Sequence, residues 1–262
     1  MASAPDSFTD ATALLRRVDE NVVRQADDAF GTSVGRESIG LYSSTSVRGF
    51  SPMVAGNARI DGMYFDPVWT PSTRIRSSVA IRVGPSAQGF AFPAPTGIVD
   101  FALRRPGPVR LTSLSAFVDT YENASLEVDA MIPVTRSMAI SAGIGMTGTG
   151  SYSGTDGEQL VTRLNFLWRS TAQAEIQPFF SRSEIRGDEF APIHLPDGAY
   201  LPPEVPRRRF LGPEQPKYRS TAVLEGAQLR HDFDGAGRRA YSSRRACSSC
   251  APTSIPRSPR AT

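Results

Sequence analysis

The sequence predicts an α+β domain followed by an antiparallel β-meander, and three observations lead to this prediction. Residues 28–107 contain short apolar runs separated by glycine, proline, serine and asparagine, which is typical of a compact domain with many turns. From about residue 110 the segments become longer and alternate apolar with polar residues, which is the period of a β-strand. Residues 10–27 have apolar side chains near helical spacing behind Asp10, a suitable N-cap, and predict one short helix.

Short strands are predicted in the first part from four segments, GLYS (40–43), ARIDGMYF (58–65), VAIRVG (79–84) and IVDFALR (98–104). The pair Asp61–Gly62 predicts a tight turn between two of them. The second part predicts about six strands, near 111–120, 125–132, 138–146, 160–168, 173–183 and 220–232. A long connection is expected at 184–219.

The period of two does not distinguish a water-soluble sheet from a membrane barrel, because both have one apolar face. The connections favour a barrel. Short links near Pro133 and Ser170 alternate with longer ones at 149–157 and 184–219, as in outer-membrane barrels with short turns on one side. No apolar run reaches the roughly 18 residues that a membrane-spanning helix needs.

The net charge of +3 comes from the end of the chain, where residues 235–262 hold six arginines and no acidic residue. Without them 23 basic and 26 acidic residues remain, so the charge does not indicate nucleic-acid binding. Cys247 and Cys250 lack the second ligand pair of a zinc site and the context of a redox motif. The segment GTGSYSG (148–154) lacks the ending of a phosphate loop. We therefore predict no enzyme activity, catalytic residue, cofactor or metal.

Four segments of the first part occur in the order and spacing of a known domain. They are SVRGF (46–50), ARIDGMYFD (58–66), RSSVAIRVGPSAQGF (76–90) and APTGIVDFALRRPG (94–107). Together they resemble the plug domain of TonB-dependent outer-membrane receptors, and DDAFGTSVGRESIGLYS (27–43) resembles the lead-in of one subgroup. The sequence departs from the family at Ile98, where a second glycine is usual, and at QGFAFPAP (88–95), which replaces an aromatic–glycine element.

The resemblance implies structural roles for the plug-motif residues Arg48, Gly49, Phe50, Asp61, Gly62, Arg82, Gly84, Pro85, Gly97 and Arg104. Positive φ angles or close backbone contacts are expected at Gly49, Gly62, Gly84, Gly89 and Gly97. Carboxylates on the barrel's inner face are expected to pair with Arg48, Arg82, Arg104 and Arg105. The candidate ligand-facing loops are 66–72, with Trp69, and 88–95, with Phe90 and Phe92.

The resemblance also implies a division of the chain. Residues 1–27 are a lead-in with the short helix, 28–109 the plug, 110–234 the first strands of a 22-stranded transmembrane barrel, and 235–262 a disordered basic tail. About six strands are too few to close a barrel, so the meander is expected to be incomplete. The abrupt composition of the tail supports two hypotheses, a shift of reading frame near codon 235 or a natural low-complexity tail.

The function implied is that of a truncated TonB-dependent receptor. Its parent family takes up scarce nutrients such as iron–siderophore complexes across the outer membrane, with the plug as gate and energy from a TonB-type protein. The expected partners are outer-membrane lipid and a small-molecule ligand whose identity the sequence does not give, but not nucleic acid. The N-terminal residues as written do not resemble a signal peptide, and no stretch before residue 28 resembles a TonB-binding box, so the position of the box stays open. The alternative is a soluble plug-like binding module whose open sheet needs a partner.

Overall fold

The computed structural model describes residues 23–27, 33–34, 43–47, 49–65, 69–90, 92, 94, 96–189, 197–199, 206–210 and 217–231. The chain divides into two compact units, Met1–Arg104 and Arg105–Thr262. Each unit contains one six-stranded sheet. No helix in these ranges is both long and apolar enough to cross a membrane. The predicted C-terminal tail, with both cysteines, lies outside the described residues.

The first unit is a mixed sheet of six short strands. Its strands are β1 (Val23–Asp27), β2 (Ser33–Val34), β3 (Ala58–Ile60), β4 (Met63–Tyr64), β5 (Arg76–Arg82) and β6 (Ile98–Leu103), in the order β2-β1-β5-β6-β3-β4. The pairs β1–β5 and β3–β6 are parallel and the other pairs are antiparallel. A 3-10 helix at Gly84–Ala87 follows β5.

Apolar side chains of the central strands form the core of this unit. Val79 and Ile81 of β5 and Val99 and Phe101 of β6 are all buried. Phe65 meets the ring of Phe101 edge-on, with 6.4 Å between ring centroids. The turn-rich segment therefore forms a hydrophobic core from its short strands, and many of its glycines and prolines lie in the connections between them.

The helix predicted over residues 10–27 is wrong at its C-terminal end, because Val23–Asp27 is strand β1. Residues 10–22 lie outside the described residues, so the described part of the first unit contains no α-helix. β1 hydrogen-bonds to β5 and to β2. Sheet pairing satisfies the backbone there, and such tertiary contacts commonly override the weak helical preference of a short segment. Of the predicted strand at 40–43, only Ser43 is described, and it lies outside any strand.

The second unit is an antiparallel meander of six strands, and all six predicted strands are confirmed. They are β7 (Leu111–Val118), β8 (Ala124–Pro133), β9 (Met138–Gly148), β10 (Glu158–Arg169), β11 (Ala174–Glu189) and β12 (Lys217–His231). Each pairs with the next along the chain, and β7 and β12 are the edges of an open sheet. β11 and β12 are longer than predicted, so the connection spans 190–216 instead of 184–219. A register shift after Ile185, beside Gly187 at φ 65°, lets β11 continue past a bulge.

Candidate functional site

The two faces of the meander have the reverse of the polarity found in water-soluble sheets. Leu164 of β10 is 50% exposed, while the next residue, Asn165, is fully buried. Large exposed apolar side chains share the face of Leu164, namely Leu114, Leu126, Val128, Ile132, Ile144, Met146, Trp168, Phe180 and Leu229. The opposite face buries polar side chains, among them Ser125, Ser141, Arg163, Gln177, Ser181 and Gln228. Transmembrane β-barrels have this apolar-out, polar-in alternation.

A buried ion pair crosses the polar face. The Arg163 guanidinium donates to Asp129 Oδ1 at 3.0 Å and to Ser141 Oγ at 2.5 Å, and its side chain is 2% exposed. Gly143 lies between the two charged residues, opposite Asp129 on one strand and Arg163 on the other. A Cβ at Gly143 would lie 2.0 Å from Asp129 Oδ1. The missing side chain of this glycine is therefore what lets the pair meet across β9.

A second charged group of the same unit contains Arg105, for which a carboxylate partner was predicted. Arg105 donates to Glu175 Oε1, so it has a carboxylate partner as predicted, while the place of this carboxylate on the inner face of a barrel stays a prediction. Arg230 and Arg169 also approach Glu175, at 3.5 and 3.9 Å. The Glu175 carboxylate of β11 thus contacts arginines of β10 and β12 and also Arg105, in the segment that precedes β7.

In the first unit, the first and last motif segments meet through one side chain. Val47 and Phe50 exchange two backbone hydrogen bonds of 2.7 and 2.9 Å around Gly49, whose φ is 82°. Arg48 lies outside the described residues. The buried side chain of Val47 faces Gly97, where an added Cβ would lie 2.8 Å from Val47 Cγ1. Gly97 has a φ of 138°, so both its conformation and this close contact require glycine.

The predicted turn at Asp61–Gly62 is confirmed. Both residues have positive φ, 48° and 82°, as a two-residue type I′ turn between β3 and β4 requires. The Gly62 N–H donates to Asp100 Oδ1 at 2.9 Å. Burial raises the pKa of Asp100, although this hydrogen bond and the nearby Arg82 and Arg59 act in the opposite direction. Sequence reasoning did not identify Asp100, which is the acceptor that fixes this turn.

The segment around Gly84 and Pro85 begins the 3-10 helix after β5. Gly84 has a φ of 68°, as expected. The Ser86 hydroxyl accepts from Val83 N at 3.1 Å and donates to Val83 O at 3.0 Å, which fixes the turn. Gly89 is not among the positive-φ glycines, and a Cβ there would meet no described atom within 4 Å, so the glycine prediction is wrong at this position.

The two predicted arginines of this unit contact backbone and ring groups. Arg104 donates to the carbonyl oxygens of Arg74 and Arg76, at 3.1 and 3.4 Å. Arg82 lies over the ring of Phe90, with its Cζ 5.7 Å from the centroid, and its charge lowers the pKa of Asp100 against the larger effect of burial. These arginines therefore fix the segments that flank β5 to the central strands of the sheet.

One of the candidate loops forms an aromatic cluster over a buried cation. Phe92 is 73% exposed with a φ of 58°, and its ring meets Tyr64 edge-on at 5.9 Å. The Arg59 guanidinium lies 4.9 Å from the Tyr64 ring centroid and donates to Phe92 O at 2.7 Å. Burial lowers the pKa of Arg59, whose side chain is almost completely enclosed. Sequence reasoning selected Phe92 but missed Tyr64 and Arg59. The only signal was an arginine in the apolar strand segment ARI.

No family model and no curated protein matches the sequence, but solved structures share its fold. FpvA of Pseudomonas aeruginosa, bound to heterologous pyoverdines, aligns with a TM-score of 0.58 at 15% identity over 72% of this chain and 26% of its own. The ferric-catecholate import receptor Fiu of Escherichia coli K12 aligns with a TM-score of 0.56 at 15% identity, over 69% of this chain and 30% of its own. The alcaligin outer-membrane receptor FauA of Bordetella pertussis aligns with a TM-score of 0.50 at 15% identity, over 84% of this chain and 41% of its own.

The chain therefore spans between about a quarter and two fifths of the length of these receptors. At this level of identity the similarity concerns the fold. The mixed sheet, the meander and the structural matches agree, and the chain has the fold of one part of the TonB-dependent outer-membrane receptors.

Proposed function

We propose that this chain is the plug and first barrel strands of a TonB-dependent outer-membrane receptor for an iron–siderophore complex. The observation that supports this best is the reversed polarity of the meander, whose exposed face is largely apolar and whose buried side chains are mostly polar, although Val161, Leu167 and Phe179 are buried among them. The structural neighbours carry names of pyoverdine, ferric-catecholate and alcaligin receptors, which supports the ligand class. In this proposal the first unit gates the lumen, a TonB-type protein supplies energy, and transport itself belongs to a complete receptor.

The meander should associate with lipid through its apolar face. Replacing Leu164, midway along β10 and opposite Ala142 and Phe180, by arginine places a charge on this face. An arginine near the middle of a lipid-facing band costs about 2–4 kcal/mol, so Leu164→Arg should reduce partitioning of the full chain into phosphatidylcholine vesicles by at least about tenfold. Vesicle flotation measures this partitioning.

The matched control is Val54→Arg, which makes a similar apolar-to-arginine change at an 89% exposed residue of the first unit. It should leave partitioning unchanged. Equal partitioning of both variants and the parent chain would contradict the proposal. It would favour the alternative, a soluble module whose open edges at β7 and β12 are covered by a protein partner.

The ligand is proposed to contact the loop cluster of Phe92 and Tyr64. Exposed rings over a fixed guanidinium offer faces and edges for stacking on catecholate or other planar groups. Two further candidate residues are Trp69, which is 43% exposed in the loop 66–72, and Phe90, which lies in the same loop as Phe92. We infer that these aromatic side chains provide ligand contacts of the first unit.

Phe92→Ala should weaken binding of a ferric tris-catecholate by about three- to tenfold, the value of one aromatic contact. Quenching of Trp69 fluorescence in a Trp168→Phe background, with the full chain in detergent micelles, measures the affinity. Phe50→Ala removes another exposed phenylalanine of the same unit and should have no effect. Identical affinities for the two alanine variants would remove the loop cluster from the proposal.

A further inference from the structure

The apolar face of the meander ends in a group of three arginines around one carboxylate, which we call the arginine triad (Arg182, Arg186 and Arg219). Glu184 Oε1 accepts from Arg186 Nε at 2.8 Å and from Arg219 Nη2 at 2.7 Å, and Oε2 accepts from Arg182 Nη2 at 3.2 Å. The Glu184 side chain is only 4% exposed, whereas the arginine side chains are 50%, 54% and 57% exposed. The carboxylate is thus enclosed while the guanidinium groups remain open to the exterior.

Strand register places the triad on the exposed apolar face. Arg182 lies opposite Val223, and Glu184 lies opposite Leu160. These residues therefore lie on the same face of the sheet as Leu164 and Phe180. Three guanidinium groups around one carboxylate leave an excess of two positive charges. Glu158 lies opposite Arg186 and offsets one of them. Counting Glu158, the group itself keeps one positive charge beside apolar side chains. The one carboxylate of β12, Glu225, lies opposite Phe180 on the same face, outside the group.

The position of the triad along the strand matches the edge of a lipid-facing band. On β11, Ile176 lies opposite Trp168, and Glu184 follows eight positions later. At about 3.3 Å per residue, the distance along the strand is about 26 Å. The distance measured perpendicular to a membrane is somewhat shorter when the strand is tilted. The apolar band of outer-membrane barrels is about 25 Å tall, with aromatic residues at its boundaries. Trp168 and Glu184 therefore mark opposite edges of one band, near which an arginine costs little. Arg182 lies two positions inside this edge, and its long side chain reaches Glu184 at the edge.

We propose that the arginine triad binds the phosphate groups of anionic lipids. Guanidinium groups match phosphate oxygens with paired N–H donors, and the half-exposed side chains leave such donors available. Glu184 orients the three groups without neutralising them, so little side-chain freedom is lost when phosphate binds. The inference rests on the proposed function, because it requires the apolar face to contact lipid.

The test compares vesicles of phosphatidylcholine alone with vesicles in which one third of the lipid is phosphatidylglycerol. The full chain should partition more strongly into the anionic vesicles, and salt should reduce the difference. The triple variant R182Q/R186Q/R219Q should lose about tenfold to a hundredfold in anionic partitioning, since a basic residue near an anionic surface contributes about 1 kcal/mol. Its partitioning into phosphatidylcholine should not fall.

The matched control is R207Q/R208Q/R209Q, which removes the same charge from a segment that contacts Thr120, Tyr121, Glu122 and Tyr152. This control should keep the anionic preference. A loss that is equal in both triple variants, or absent in both, would overturn the lipid-phosphate inference while leaving the proposed function intact. Failure of the parent chain to enter either kind of vesicle would instead overturn the proposed function, and the inference with it. Trp168 fluorescence in phosphatidylcholine verifies that the triad variant keeps its fold.

Discussion

Replacing Asp129 by leucine should destabilise the second unit by about 3–5 kcal/mol, the usual cost of removing one partner of a buried ion pair. The Arg163 side chain is 2% exposed, and Asp129 is its carboxylate partner at 3.0 Å. The Asp129→Leu variant would keep the buried guanidinium but remove the charge that compensates it. Unfolding of the full chain by urea in detergent micelles, followed by Trp168 in a Trp69→Phe background, measures the change.

A second substitution distinguishes loss of the ion pair from loss of packing. In the double variant Asp129→Leu/Arg163→Met both charges are absent, and most of the lost stability should return, because apolar replacements of a buried pair are often close to neutral. Asp156→Leu, at an exposed carboxylate of a connecting segment, should change the free energy of unfolding by less than about 0.5 kcal/mol. If Arg163→Met worsens the Asp129→Leu variant, the ion pair is not the source of the effect.

The strands could be predicted from the sequence, but the orientation of the sheet faces could not. Alternation identified β7 to β12 because a period of two is independent of what surrounds the sheet. The same alternation fits a sheet whose apolar side chains are buried and one whose apolar side chains are exposed. Only the structure shows that Leu164 is exposed beside the buried Asn165.

The contacts that could be predicted are local. Asp61 and Gly62 adopt the turn that their sequence favours, since both tolerate positive φ. The Asp129–Gly143–Arg163 row depends instead on the register of three strands. The cluster of Arg59, Tyr64 and Phe92 joins residues 33 positions apart. The strand at Val23–Asp27 was missed for the same reason, because its pairing with β5 is set by residues more than fifty positions away.

Replacing Gly97 by alanine should destabilise the first unit by about 2–6 kcal/mol, for two physical reasons. A φ of 138° costs a residue with a side chain about 1–3 kcal/mol in backbone strain. The new Cβ would also lie 2.8 Å from Val47 Cγ1, and overpacking of this kind costs about 1–3 kcal/mol. Urea unfolding of the full chain, followed by Trp69 in a Trp168→Phe background, measures the sum.

Val47→Ala separates the two contributions. In that background the overlap is relieved, so Gly97→Ala should cost less than in the parent chain, and the remaining cost is backbone strain. Gly89→Ala is the control, because Gly89 lacks a positive φ and its added Cβ meets no described atom, so stability should change by less than about 0.5 kcal/mol. Equal effects at both glycines would contradict the assignment. The residue after Gly97 is Ile98, which is fully buried at the start of β6 and stands where the plug motif that the sequence resembles usually has a second glycine. Ile98 is β-branched and does not have a positive φ, so among the described residues of this turn the strained conformation lies at Gly97.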